Sequence, residues 1–235
     1  MSYQSYYPNG WQSGESGRTP ITPEALQHME NGIKNAAPGG FGLGTTWGNP
    51  IYDANKAVVN GVYACADPLN CENFVTAEAM QYGPLVVFAR HQNIKQIQYF
   101  RNYKVVRFSE DGGNTWSPWE WENPPMRVGV EYRTTERWNG APVYAKLVNI
   151  GKIAASMSVS TGINNARVVR GSITWANMLA NFHDFTTTTL AGWDFTAWTN
   201  LSEVRVKAGA DAVASGGNVY AEFRYAYYTD EGAVA

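Results

Sequence analysis

The stretch from Asp111 to Val148, DGGNTWSPWEWENPPMRVGVEYRTTERWNGAPVYAKLV, decides how this chain is read. It closes one β-rich segment, crosses a proline joint at Pro124-Pro125 and opens a second β-rich segment. With Ser109 in front, its first part fits the pattern S-x-D-x-G-x-T-W through Ser109, Asp111, Gly113, Thr115 and Trp116. That pattern predicts a tight hairpin. The Asp111 carboxylate can accept from turn N–H groups, Gly113 allows a positive φ, and Trp116 can fold back over the turn.

Working outward, apolar residues recur with period two on both sides of the joint, the signature of half-buried strands. Towards the N-terminus the spacing predicts strands at 61–66, 85–90, 94–101, 105–109 and 115–121, with one short helix at 72–81. Asn93 and Asn102 punctuate the hairpins. Towards the C-terminus it predicts strands at 128–134, 143–148, 153–158, 168–174, 204–208 and 219–228. In the last of these Val219, Ala221, Phe223, Tyr225 and Tyr227 share one side, while Glu222 and Arg224 take the other. Six strands over about a hundred residues favour a jelly-roll-like β-sandwich. No fixed-period repeat supports a solenoid or propeller.

The expected organisation is mainly β. A polar, Gly-rich leader covers residues 1–20, a helix 21–37, a small β domain 38–125 and a β-sandwich 126–235. In the helix Thr22 suits the N-cap, Pro23 the first position and Glu24 the positive end. Leu26, Met29 and Ile33 form a narrow apolar stripe. A helix this short is marginal alone in water. The stripe can pack on the rest of its own chain or on copies of itself, and the pattern leaves both open.

The bulk composition narrows the function. At 235 residues the chain suits one large or two small domains, and 44% hydrophobic residues suffice for packed cores. A net charge of −2 gives no electrostatic footprint for nucleic acid. No apolar run is long enough for a bilayer, so no membrane insertion is expected; Met1-Ser2-Tyr3 opens no signal peptide, so synthesis in the cytoplasm is. Cys65 and Cys71, six apart, lack a zinc-ligand pattern; the spacing could close a small loop by a disulfide, but with synthesis in the cytoplasm free, buried thiols are expected. His28, His91 and His183 are scattered, so neither a metal nor a cofactor is expected.

Nothing in the motifs points to catalysis. No G-x-S-x-G elbow accompanies the histidines, and spacing alone does not pair two acids across a cleft. Sialidases repeat the Asp-containing hairpin on their propeller blades, away from their chemistry. Here it occurs once, so Asp111 is read as a turn-former and no catalytic residue is named. The stretch from Trp175 to Leu201 is different, being polar and aromatic at once. Trp193, Asp194 and Trp198, with His183 and Asp184, supply the stacking faces and hydroxyl partners a sugar needs. The competing reading puts these aromatics in packing, where Phe182, Phe185 and Phe195 belong. The surface near Trp119 and Trp121 is the next candidate.

The segment EYRTTERWNGAPVYAK at 131–146 closely resembles one in phage tail-fibre and receptor-binding proteins, where a pyocin-knob domain hands over to a C-terminal head. ITPEALQHMENGI at 21–33 is also similar to the start of many phage tail proteins. The resemblance implies that 38–125 is a small antiparallel knob domain ending in the Asp111 hairpin, that 126–235 is a receptor-binding head, and that the protein is a homotrimer with Leu26, Met29 and Ile33 at its interface. It implies a virion protein that attaches to bacterial surface glycans and meets other tail or baseplate proteins through its N-terminus. A connector without its own ligand and a glycan-degrading tail enzyme are the alternatives.

Overall fold

The computed structural model describes residues 23–36, 49–152, 154, 156–175, 178–181, 195–199, 203–208 and 218–230. Helix α1 runs Pro23–Ala36, with Glu24 in its first turn. The remainder is mainly β and divides into two compact units. The first holds described residues up to Phe100 together with Phe108–Ser117; the second holds Arg101–Arg107 and the described residues from Pro118 onward.

In the first unit β1 (Asn49–Ile51), β2 (Gly61–Cys65), β3 (Leu85–Arg90) and β4 (Asn93–Phe100) are neighbours in that order. β1 runs parallel to β2 and the other pairs are antiparallel, so the sheet is mixed and not purely antiparallel as the family resemblance implied. The parallel pair arises because the chain crosses over through a 3-10 turn at Ala54–Lys56. One sheet face is buried through Leu85, Val87 and Ile94. Gln96 and Gln98 are also fully buried there, and each reaches a backbone group. Gln96 Nε2 donates to the carbonyls of Ala54 (2.6 Å) and Ala57 (2.9 Å). Gln98 exchanges two bonds with Val75, accepting from its N–H at 3.0 Å and donating to its carbonyl at 3.1 Å. Two amides thereby stitch irregular chain to a strand, as a neighbouring strand would.

The helix expected at 72–81 is a 3-10 segment, Ala77–Tyr82, interrupted where Glu78 and Ala79 adopt positive φ. The chain then turns through Gly83, where a Cβ would lie 1.7 Å from the Tyr99 carbonyl oxygen. Only glycine fits that approach.

The second unit takes residues 103–107 of β5 (Tyr103–Ser109), then β6 (Glu120–Trp121), β7 (Glu131–Trp138), β8 (Ala141–Gly151), β9 (Ser158–Asn164), β10 (Ala166–Trp175), β11 (Met178–Asn181), β12 (Phe195–Thr199), β13 (Glu203–Ala208) and β14 (Val219–Tyr227). Within it one sheet has the order β5-β6-β7-β8-β14-β10-β11 and a second β12-β13-β9. Their buried faces share one core. Ile163, Val204 and Val206 from the smaller sheet join Val148, Ile150, Ile173, Ala221 and Phe223 from the larger. β7 and β8 meet through Asn139-Gly140, both at positive φ (46° and 81°), the two-residue turn whose twist matches its strands.

Several expected strands shift. Of 115–121 only Glu120–Trp121 forms a strand: the Trp116 ring bonds back to the turn at Gly113, and Ser117 exchanges bonds with Phe108 through its backbone N–H and its hydroxyl. β9 begins at Ser158; of the strand expected at 153–158, residues 153 and 155 lie outside the described residues, and Ser156 (φ 55°) sits in a turn closed by the Met157 N–H on the Ala154 carbonyl. Residues 128–130 precede β7 because Gly129 (φ 79°) turns there.

Candidate functional site

Three groups of side chains bear on function. The first is the hairpin at Ser109–Trp116. Asp111 Oδ1 accepts from the Thr115 N–H (2.9 Å) and from Ser109 Oγ (2.8 Å), and Asp111 Oδ2 accepts from Thr115 Oγ1 (2.7 Å). Ser109 Oγ accepts from the Gly113 N–H at 2.9 Å, and Trp116 Nε1 donates to the Gly113 carbonyl at 3.1 Å. Gly113 sits at φ 94°, and a Cβ there would lie 2.6 Å from Val58 Cγ1. The bonds from Thr115, backbone first, then its hydroxyl, and the Ser109 hydroxyl hold the Asp111 carboxyl down at about 2. All these groups are spent on one another, so the hairpin is a structural device.

The second group is a concave face on the same unit, about 470 Å³ in volume and open to solvent. Antiparallel register sets Phe88 opposite Lys95 and Arg90 opposite Asn93, so the four share the outward face of β3 and β4. Phe108 and Glu110 complete the lining. Phe88 is 48% exposed and Phe108 46%. The rim is anchored by Asn60, whose amide accepts from the Ala89 N–H (2.6 Å) and donates to its carbonyl (3.0 Å). Rigid backbone thus carries exposed rings beside polar side chains, the make-up of a small-ligand cleft.

The third group lies on the second unit. Glu131 Oε2 accepts from the hydroxyls of Tyr225 and Tyr227, while Tyr144 bonds to Arg133 (3.3 Å) and Asp230 (3.2 Å). Glu120, almost wholly buried, holds Arg133 at 3.0 Å and Arg137 through both its oxygens. A tyrosine beside a carboxylate can serve as a nucleophile, but Tyr225 is enclosed in the core. Burial first, then the Glu131 carboxylate, push its phenol far above the ordinary value, so it stays protonated. This arrangement locks β7, β8 and β14 together.

The sequence-named candidates fall as follows. His183, Asp184, Trp193 and Asp194 lie outside the described residues. Trp198 is in β12 paired with Arg205, so it is on a strand and not in a loop. Leu26 and Met29 are on α1 and are 48% and 40% exposed; Ile33 is on the same helix. Trp121 is buried edge-on between Tyr103 (6.2 Å) and Tyr132 (5.4 Å), and the Arg107 guanidinium covers Trp119 at 4.5 Å. Trp121 is therefore a packing residue, while Trp119 is half-buried beneath Arg107. Cys65 is buried and Cys71 half-buried, both free, and burial with the neighbouring Cys71 thiol pushes Cys65 up to about 11. Among the described residues no three His, Cys, Asp or Glu side chains gather where they could hold a metal ion. No described helix is long and apolar enough to cross a membrane.

No family model and no curated protein matches this chain. Among solved structures, a C-terminal fragment of the P. aeruginosa R1 pyocin fibre is similar at 12% identity and a TM-score of 0.28, over 78% of this chain and 68% of that one. The corresponding R2 pyocin fibre fragment is similar at 13% identity and a TM-score of 0.25, over 75% and 65%. Scores of this size do not establish a common fold.

Proposed function

We propose that this chain is a phage or prophage tail-fibre-like protein that attaches non-covalently to bacterial surface glycans. The observation that carries the reading is the open concave face of the first unit, where Phe88 and Phe108 stand exposed beside Arg90, Asn93 and Lys95. Sugars bind by stacking C–H faces on rings while nearby polar groups take the hydroxyls. In this reading residues 38–125 are a knob-like domain and 126–235 a jelly-roll-like sandwich head. Trp193, Asp194, Trp198, His183 and Asp184 form a second contact region on the head.

The exposed Leu26 and Met29 support a homotrimer closed through α1, since an apolar stripe on a short helix is stabilised by burial against symmetry copies. Three copies of a weak site give avidity. N-terminal docking on other tail or baseplate proteins, and a place in the virion, belong to the same proposal. Labelled protein should coat susceptible cells, release no reducing sugar from their wall extracts, and scatter light as a trimer. Coating that fails on every susceptible strain would reduce the chain to a connector. Sugar release would make it an enzyme.

A further inference from the structure

We propose that the concave face of the first unit selects an acidic sugar, one whose ring carries a carboxylate, with Arg90 and Lys95 as the residues that recognise the charge. The proposal rests on the glycan reading above and narrows it to a substrate class.

The argument begins with what Arg90 lacks. Arg133, Arg137, Arg170, Arg205 and Arg224 each sit in an ion pair, and Arg107 and Arg167 lie over aromatic rings. Arg90 has neither kind of partner among the described residues, although it stands at the rim of a cleft. A guanidinium fork matches a carboxylate bidentately, which makes an unengaged arginine a directional receptor for one.

Register supplies the second cation. Arg90 lies opposite Asn93, and Lys95 is two residues further along β4 on the same face, so the two cations are diagonal neighbours. Phe88 lies directly opposite Lys95 and offers a ring beside them. Glu110 is the acidic residue of the lining. Two cations against one anion leave a single positive charge, which complements one carboxylate better than a dianionic phosphomonoester. The volume, about 470 Å³, falls in the ~300–1,000 Å³ range of small-ligand clefts and admits one or two sugar rings.

The test is calorimetric titration of the full chain with tetragalacturonate, with sialyllactose, with the carboxyl-reduced form of each, and with glucose phosphate. At least one acid should bind, its reduced form roughly tenfold or more weakly. The exposed double variant Arg90→Gln/Lys95→Gln should bind the acid and its reduced form alike, and Phe88→Ala should weaken both forms together. The inference is overturned by equal binding of reduced and acidic forms, by a preference that survives the double variant, by tighter binding of glucose phosphate, or by no binding at all. If none of the probes binds yet the protein still coats cells, the acidic-sugar assignment fails and the attachment reading stands. If coating is absent as well, both fail.

Discussion

The two units solve the same problem, a β-sheet with irregular connections, by different means. In the first unit three long-range ties between connections and strands are made by neutral side chains bonding to backbone, while the carboxylates of Asp53, Asp67 and Asp111 hold their local turns. Gln96 reaches Ala54 and Ala57, Gln98 pairs with Val75, and Asn60 pairs with Ala89. In the second unit long strands close over a continuous apolar core, and charged side chains bond mainly to one another at its margin. Short strands bury too little apolar area to fix their own loops, so amides take over that role. Long strands bury enough, and their charges only refine the register.

The difference can be broken first at the second unit's core. Phe223 is fully buried, and Phe223→Ala should lower stability by about 3–5 kcal/mol in denaturant unfolding. A cost near that of a surface change would mean that the core is not what holds this unit. In the first unit the matching change is Gln98→Met. It keeps volume but orphans the Val75 N–H and carbonyl, at a cost of about 2–3 kcal/mol. Because no charge is involved, that cost should be the same in dilute and in molar salt.

Glu120→Gln sharpens the contrast from the other side. It leaves Arg133 and Arg137 beside a neutral amide. Their guanidinium groups are partly solvated, with side-chain exposures of 27% and 38%, so the expected cost is only about 1–2 kcal/mol. It should shrink in molar salt, unlike that of Gln98→Met. Equal salt responses in the two variants would erase the distinction between the units.

How much of this was legible in the sequence depends on whether the signal was local. The apolar alternation from Val219 to Tyr225 yields β14 because every second side chain enters the core. The Asp111 hairpin is legible because its partners lie within eight residues. β9 was displaced because Ser158, Ser160 and Asn164 give it a polar exposed face and Thr161 puts a hydroxyl on its buried one, while Ile153 suggested an earlier start. β1 is three residues long and contains Pro50, and β12 lies inside a stretch whose aromatics suggested an insert. The concave face was missed altogether, since Asn60, Phe88–Lys95 and Phe108–Glu110 come from separate segments that only register brings together. One cue was present. Phe88 and Arg90, then Asn93 and Lys95, occupy the outward positions on either side of the turn at His91.

The smallest expected effect tests whether an ionised clamp of the first unit, Asp111, behaves like the neutral ones. Asp111→Ala removes the acceptor for the Thr115 N–H, the Thr115 hydroxyl and the Ser109 hydroxyl, and should lower Tm by a few degrees at neutral pH. The effect should depend on pH in a stated direction. The folded carboxyl is held at about 2, below the ~3.9 of an unfolded aspartate. As pH falls, the unfolded chain therefore takes up this proton first, and unfolding gains on folding. The Asp111 contribution is complete above about pH 5 and is lost progressively as pH falls from about 4 through 2. Other carboxylates titrate alike in both proteins, so the gap in Tm between wild type and variant isolates this one. The gap should be widest at neutral pH and narrow towards pH 2. A gap that stays constant over that range would mean that the hairpin is held by its shape, through Gly113 and Trp116, and that the charge on Asp111 is incidental.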